Sequence, residues 1–163
     1  MTLANTTGAT ARIRPAEPAD AAALTDLALS AKAVWGYDAE FIAACRAELT
    51  VRPDGIRRDP THLVEADGRV LGFYQLRVDG AQADVSMFFV APEALRAGCG
   101  RRLWAHLEDT AGAAGAARLE VDSDPHAEGF YRVMGMTRVG EAPSGSIPGR
   151  MLPRLAKNLA PRG

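Results

Sequence analysis

Apolar and polar positions along this chain change period twice, and the changes separate helical from extended stretches. From Ile13 a short strand leads into a helix opening near Pro18 to Asp20, where Leu24, Leu27, Ala28, Ala31 and Trp35 recur at helical spacing and predict one buried stripe. Gly36 breaks that helix, a second helical stretch covers Asp38 to Leu49, and Pro53, Asp54, Gly55 and Pro60 mark an irregular connection. The period then falls to two. His62 to Ala66, Val70 to Val78 and Ala81 to Val90 read as an antiparallel meander, joined at Asp67-Gly68 and Asp79-Gly80, pairs that accept the positive φ of tight hairpin turns.

Helical spacing returns after Pro92. A turn containing glycine leads into a helix with Leu103, Leu107, Ala111 and Ala114 on one stripe, stopped at Gly115. Arg118 to Val121 is the next strand, and a strand, helix, strand crossover of this length implies parallel pairing. A short helix around Ala127 to Met134, a stop at Gly135, a strand near Met136 to Gly140 and an apolar stretch from Met151 complete an α/β mixture. The strand alternation predicts Asp84, Ser86, Phe88 and Val90 on one face, with Val85, Met87 and Phe89 on the other.

Composition narrows the classes. The 163 residues suit one core, taken as a domain over 11–160 behind a flexible polar tail, 1–10. With 19 Lys plus Arg against 20 Asp plus Glu, the formal net charge of −1 provides no basic field to gather nucleic acid or an anionic membrane. Cys45 and Cys99 have no paired metal spacing, so neither a disulfide framework nor a metal site is expected, and a reducing compartment fits. No apolar run approaches the roughly 18 residues of a membrane span, and the expectation is a cytoplasmic protein.

The turn before the central helix holds the most chemistry. Ala97, Gly98 and Gly100 are small enough to let a bulky anion reach backbone N–H groups around Cys99, while the helix dipole and Arg96 or Arg101 favour negative charge. A pyrophosphate is the natural guest, although two glycines before a helix equally make a plain turn. Rival motifs fail: there is no Gly-Lys-Ser/Thr ending, and Leu103 stands where the dinucleotide fingerprint needs a third glycine.

Phe89-Val90-Ala91-Pro92 followed by Leu95-Arg96-Ala97-Gly98-Cys99-Gly100 resembles the coenzyme A loop of the GNAT N-acetyltransferase superfamily, Gln/Arg-x-x-Gly-x-Gly/Ala. Ala127-Glu128-Gly129-Phe130-Tyr131-Arg132-Val133-Met134-Gly135-Met136 resembles its Ala-x-x-Phe-Tyr-x-x-x-Gly-Phe segment. The resemblance spans roughly Ala11 to Leu159 and implies a GNAT-like fold: a central mixed twisted sheet of about six to seven strands with helices on both faces. It departs from the family at Leu95, which supplies no polar side chain, and at Asp124, where many members have Asn and where a carboxylate either weakens coenzyme binding or caps the helix that follows.

The resemblance also implies roles. Acetyl-CoA, as co-substrate without a metal, lies between the strands ending at Val90 and near Asp122, its amides met by the backbone of Phe88, Phe89 and Val90 and its approach bordered by Asp124. Tyr131 matches the general acid, and Asp84 stands where some members place the base, though a hydrated carboxylate beside a turn is an equal reading. Trp35 and Tyr37 fall where members build the acceptor pocket, core packing being the other reading. Glu40, Arg46 and Glu48 read as a solvated helix face, Ser144 to Arg150 as a turn-rich loop for which the resemblance also implies a border of the acceptor pocket, and only His126 of the three histidines lies near a family block. The expected activity is acetyl transfer to a small-molecule amine or an exposed amino group, with a homodimer as the expected assembly. A non-catalytic coenzyme A sensor and an interaction domain without nucleotide remain as alternatives.

Overall fold

The computed structural model describes residues 3–4, 10–95 and 97–161. β1 (Leu3–Ala4) pairs antiparallel with β2 (Thr10–Pro15). Thus Leu3, Ala4 and Thr10 of the expected tail belong to strands, and the remainder of 1–10 lies outside the described residues. A 3-10 turn at Pro18–Asp20 leads into α1 (Ala21–Ala33), then α2 (Ala39–Leu49), whose start is capped by the Asp38 carboxylate accepting from Phe41 N–H at 2.8 Å. α1 ends before Trp35, so that residue leaves the predicted stripe and sits half-buried in the turn at 34–36.

The connection expected to be irregular contains a short helix, α3 (Pro53–Arg58). Pro53 in its first turn is preset for helical φ, and the Asp54–Arg57 pair at 2.8 Å supports the turn. The meander follows as β3 (Thr61–Ala66), β4 (Arg69–Asp79) and β5 (Gln82–Val90). α4 (Cys99–Ala113), β6 (Arg118–Asp122), α5 (Glu128–Val133), β7 (Thr137–Pro143) and β8 (Met151–Asn158) complete the chain.

The strands form one mixed sheet in the order β1-β2-β3-β4-β5-β6-β8-β7, seven full strands extended by the two-residue β1. Among the described strands only β5 and β6 pair in parallel, across the α4 crossover. β8, which the sequence marks only as an apolar stretch, lies between β6 and β7. Tyr74 and Leu76 of β4 are buried under α4, while the alternate residues Phe73 and Gln75 are buried on the opposite face, where α1 and α3 lie. Both faces are therefore covered. Leu103, Leu107 and Ala111 of α4 are completely buried, each Leu contributing about 1.5–3 kcal/mol of hydrophobic stabilisation, whereas Ala114 caps the helix and is exposed.

The predicted alternation along β5 is overturned by a β-bulge. Gln75 pairs with Met87 and Leu76 with Val85, so Ser86 is an extra residue and the phase flips there. Asp84 shares its face with Met87 and Phe89, in line with Arg77, Gln75 and Phe73 of β4, and not with Phe88 and Val90.

Candidate active site

β5 and β6 pair only at Gln82 with Arg118, Ala83 with Leu119 and Asp84 with Glu120; beyond Asp84 they diverge. The bulge at Ser86 bends β5 at the point of divergence. A cleft of about 590 Å³ opens between the strands, with Asp84, Ser86, Phe88 and Tyr131 among its lining residues. A narrower apolar pocket of about 220 Å³ continues toward α4, lined by Val90, Leu95, Gly100 and Phe130. Phe88, Phe89 and Tyr131 line both, which makes one trough from the start of α4 to the splay.

At its upper end, Gly98 caps α4 with φ of 77°, a left-handed conformation that favours glycine. Among the described residues, the first bond closing the helix runs from Arg102 N–H to the Gly98 carbonyl at 3.2 Å. The N–H groups of Cys99, Gly100 and Arg101 precede it and no side chain among the described residues caps them, so they fit an anionic phosphate. Gly100 also lies against Phe130: a Cβ there would stand 3.3 Å from the ring. Ala97 and Arg101 are exposed beside this end, and Arg96 lies outside the described residues. Burial pushes the Cys99 thiol up to about 11, which leaves it packing material and no nucleophile.

Tyr131 is 6% exposed and packs edge-on against Phe88, Trp104 and Phe130. Its hydroxyl has no hydrogen-bond partner among the described residues. Among the described residues no fully enclosed side-chain N or O lacks a partner, so this oxygen opens onto the cleft it lines. Burial, reinforced by the Asp124 charge, raises its pKa and keeps the phenol protonated at neutral pH. Asp84 is half-buried at the closed end of the splay and accepts from the Gln82 amide at 3.0 Å. Asp84 of β5 and Tyr131 of α5 therefore line one cleft.

Asp124 caps the 3-10 turn Pro125–Ala127, one of the two readings that the sequence leaves open, and is also the hub of contacts that the sequence does not reveal. Its carboxylate accepts from His126 N–H at 2.9 Å and from the Tyr37 hydroxyl at 3.0 Å, and pairs with Lys32 at 2.9 Å. Burial alone would raise the Asp124 pKa, but the His126 N–H and Lys32 outweigh it and bring the value down to about 2. Arg150 donates to Tyr37 Oη at 2.7 Å and lies over the Phe41 ring, which itself stacks on Tyr37. Burial first, then the hydrogen bond to Asp124, pushes the Tyr37 hydroxyl up to about 12. Trp35 stacks on His126 with ring centroids 5.6 Å apart and lines both cavities, so Trp35 faces the trough while Tyr37 braces its wall.

Lys32 and Phe41 carry no sequence signal because they meet the others only through tertiary contact, whereas Arg150 belongs to the turn-rich stretch that the resemblance places at the border of the acceptor pocket. Glu48, expected on a solvated face, is exposed, but it also lines the cleft and accepts from the Ser146 hydroxyl. That contact draws the 144–150 loop to the mouth.

A family model described as an acetyltransferase (GNAT) domain matches residues 38–144. No curated protein matches the sequence. Among solved structures, the fold is similar to that of the PaiA N-acetyltransferase of Thermoplasma acidophilum in complex with coenzyme A, with 18% identity, 91% of this chain and 98% of that chain covered, and a TM-score of 0.76. It is also similar to the ribosomal-protein-S18-alanine N-acetyltransferase of Escherichia coli, with 21% identity over 94% of this chain and 96% of that one, and a TM-score of 0.68. YncA of Salmonella typhimurium, described as a putative acetyltransferase with its cofactor acetyl-CoA, is 22% identical over 92% and 94% of the two chains, with a TM-score of 0.62. Two sequence blocks, the splayed parallel pair and a family match over more than half of the length agree: the chain belongs to the GNAT acetyltransferase family, whose acetyl donor is acetyl-CoA.

Proposed function

We propose that this protein transfers the acetyl group of acetyl-CoA to an amine by direct attack. The observation that carries this reading is the trough that begins at the uncapped N–H groups of Cys99, Gly100 and Arg101 and ends at the Tyr131 hydroxyl. The N–H groups, with Gly98 giving the turn and Arg96 and Arg101 adding charge, receive the pyrophosphate. The backbone of Phe88 to Val90 meets the pantetheine amides, and the bulged strand supplies donors toward the thioester oxygen.

Tyr131 donates to the departing thiolate. Its raised pKa favours a hydrogen bond to developing sulfur charge over ionisation of the phenol. Asp84, at the closed end of the same cleft, takes the amine proton through water, and Trp35 forms the acceptor wall that Tyr37 and Asp124 hold in place. Leu95 is 56% exposed and adds no donor, which is the one feature that favours a non-catalytic coenzyme A sensor.

Two measurements test the proposal. At a hundredfold excess over its dissociation constant, acetyl-CoA stabilises the fold by about 2.7 kcal/mol, seen as a raised Tm. Thiol release then accompanies addition of an amine. Absence of a thermal shift overturns coenzyme A binding altogether, and a shift without thiol release from any amine selects the sensor.

A further inference from the structure

No hydrogen bond from the described residues fixes the Tyr131 hydroxyl, so its place in the cleft is set by the rings around it and by the helix that carries it. Trp104 is the ring that reaches furthest into α4. It is 3% exposed and meets Tyr131 and Phe88 edge-on, with centroids 5.6 Å away in each case, and Phe130 at 6.2 Å.

Behind the rings, one cation reaches both supports. Trp104 Nε1 donates to Glu108 Oε2, one turn further along α4. The same oxygen accepts from Lys157 Nζ of β8 at 2.7 Å. Lys157 Nζ also donates, at 3.0 Å, to the carbonyl of Met134, the residue that caps the C-terminal end of α5. Gly135 makes room for this reach, since a Cβ there would stand 3.1 Å from Nζ.

A buried indole N–H needs an acceptor, but a glutamate on a helix surface can rotate away. Lys157 prevents that by holding Glu108 in a pair whose side chains are 27% and 25% exposed, and its charge favours the last turn of α5. Trp104, Glu108 and Lys157 line neither the cleft nor the apolar pocket, so they act on the reaction only through Tyr131. The precision at stake is large: a misplacement of about 1 Å costs on the order of a hundredfold in rate.

We infer that Glu108 and Lys157 are positioning residues for Tyr131. Together they hold the plane of Trp104 and the end of α5, and so fix the point at which the phenol meets the departing sulfur. The inference rests on Tyr131 acting as the donor to that thiolate and names the residues that aim it.

The test follows thiol release from acetyl-CoA with butylamine, lysine and an alanyl peptide as probe amines, and carries the fastest through a set of variants. Lys157→Met is expected to lower kcat at least tenfold, with amine KM and acetyl-CoA affinity within twofold of the parent and Tm within about 3 °C. Glu108→Gln lowers kcat at least threefold. Arg132→Met, which breaks the exposed Arg132–Glu128 pair on the same helix, leaves kcat within twofold. In a Tyr131→Phe protein, Lys157→Met changes kcat less than twofold, because the group it aims is gone. A spectroscopic arm needs no acceptor: in a Trp35→Phe protein Trp104 is the single tryptophan, and Lys157→Met raises its quenching by acrylamide at least twofold.

Parental kcat in Lys157→Met and Glu108→Gln, beside a slow Tyr131→Phe, overturns the inference and leaves the role of Tyr131 intact. An equal loss in Arg132→Met, an undiminished effect of Lys157→Met without the phenol, or unaltered Trp104 quenching also overturns it. Parental turnover in Tyr131→Phe overturns the reading of Tyr131 and this inference with it. Should Lys157→Met not fold, Glu108→Gln decides by the same comparisons.

Discussion

Lys32 Nζ lies 2.9 Å from Asp124 Oδ2, and the pair joins α1 to the segment after β6 with side chains only 12% and 6% exposed. Removing one member strands the other charge in a nearly dry site. Asp124→Asn is expected to lower unfolding free energy by about 3 kcal/mol, and the double variant with Lys32→Met to recover part of the loss, as read by urea denaturation. The pH sign follows from the Asp124 carboxyl, whose folded value of about 2 lies below its ordinary 3.8. Its contribution, about 2 kcal/mol, is present above pH 4 and is lost as pH falls through 2.

Tyr131→Phe is expected to lower kcat by about 10²–10⁴-fold, the usual range for a positioned acid, with acetyl-CoA affinity within twofold of the parent. Because the Tyr131 pKa is raised, the parent's kcat shows no alkaline fall from this group below pH 10. A pH–rate profile combined with calorimetric titration of acetyl-CoA separates the two quantities. Parental turnover in a fully folded variant would remove Tyr131 from the chemistry.

The glycines at the start of α4 separate backbone strain from crowding. Gly98→Ala places a Cβ on a left-handed residue and is expected to lower stability by about 1–2 kcal/mol even without ligand. Gly100→Val presses on Phe130, from which even a Cβ stands only 3.3 Å, and narrows the pocket leading from α4. It is expected to weaken coenzyme A binding at least tenfold. Thermal melts with and without ligand read both effects.

Away from the trough, the fully buried Tyr74 hydroxyl meets His106 Nδ1 at 2.8 Å, His62 Nδ1 at 3.2 Å and Thr110 Oγ1 at 2.7 Å. Burial depresses the pKa of both histidines, with a further lowering of His62 by His106. The unfolded chain therefore binds more protons than the folded one just below pH 6.5, so stability falls as pH drops through that region. Tm measured from pH 7.5 to 5 is expected to show this slope, and His62→Gln with His106→Gln to flatten it. Tyr74→Phe leaves the half-buried polar groups of His62, His106 and Thr110 without this partner, at a cost of about 1–3 kcal/mol.

Much of the fold was readable because its elements carry local signals. The α4 stripe of Leu103, Leu107 and Ala111, the two hairpin turns and the glycine before α4 depend on neighbours a few residues away. The family blocks around Gly98 and Tyr131 were legible for the same reason: each is a run of adjacent residues serving one local geometry. Where local signal was ambiguous, the reading missed. Pro53 and Gly55 suggested a break but start and line a short helix, and Trp35 continued the α1 spacing although the helix stops at Ala33.

By itself the sequence determined the order of helices and strands, the parallel crossover and the open backbone at the head of α4, since period, turn chemistry and capping are properties of contiguous residues. Tertiary structure alone decided three things: the Ser86 bulge that turns Asp84 onto the other face, the insertion of β8 between β6 and β7, and the meeting of Lys32, Tyr37, Asp124 and Arg150. Each depends on which distant strand or helix becomes a neighbour. Pairing register and long-range charge contacts are set by packing across the whole sheet, and they leave no repeating trace along the chain.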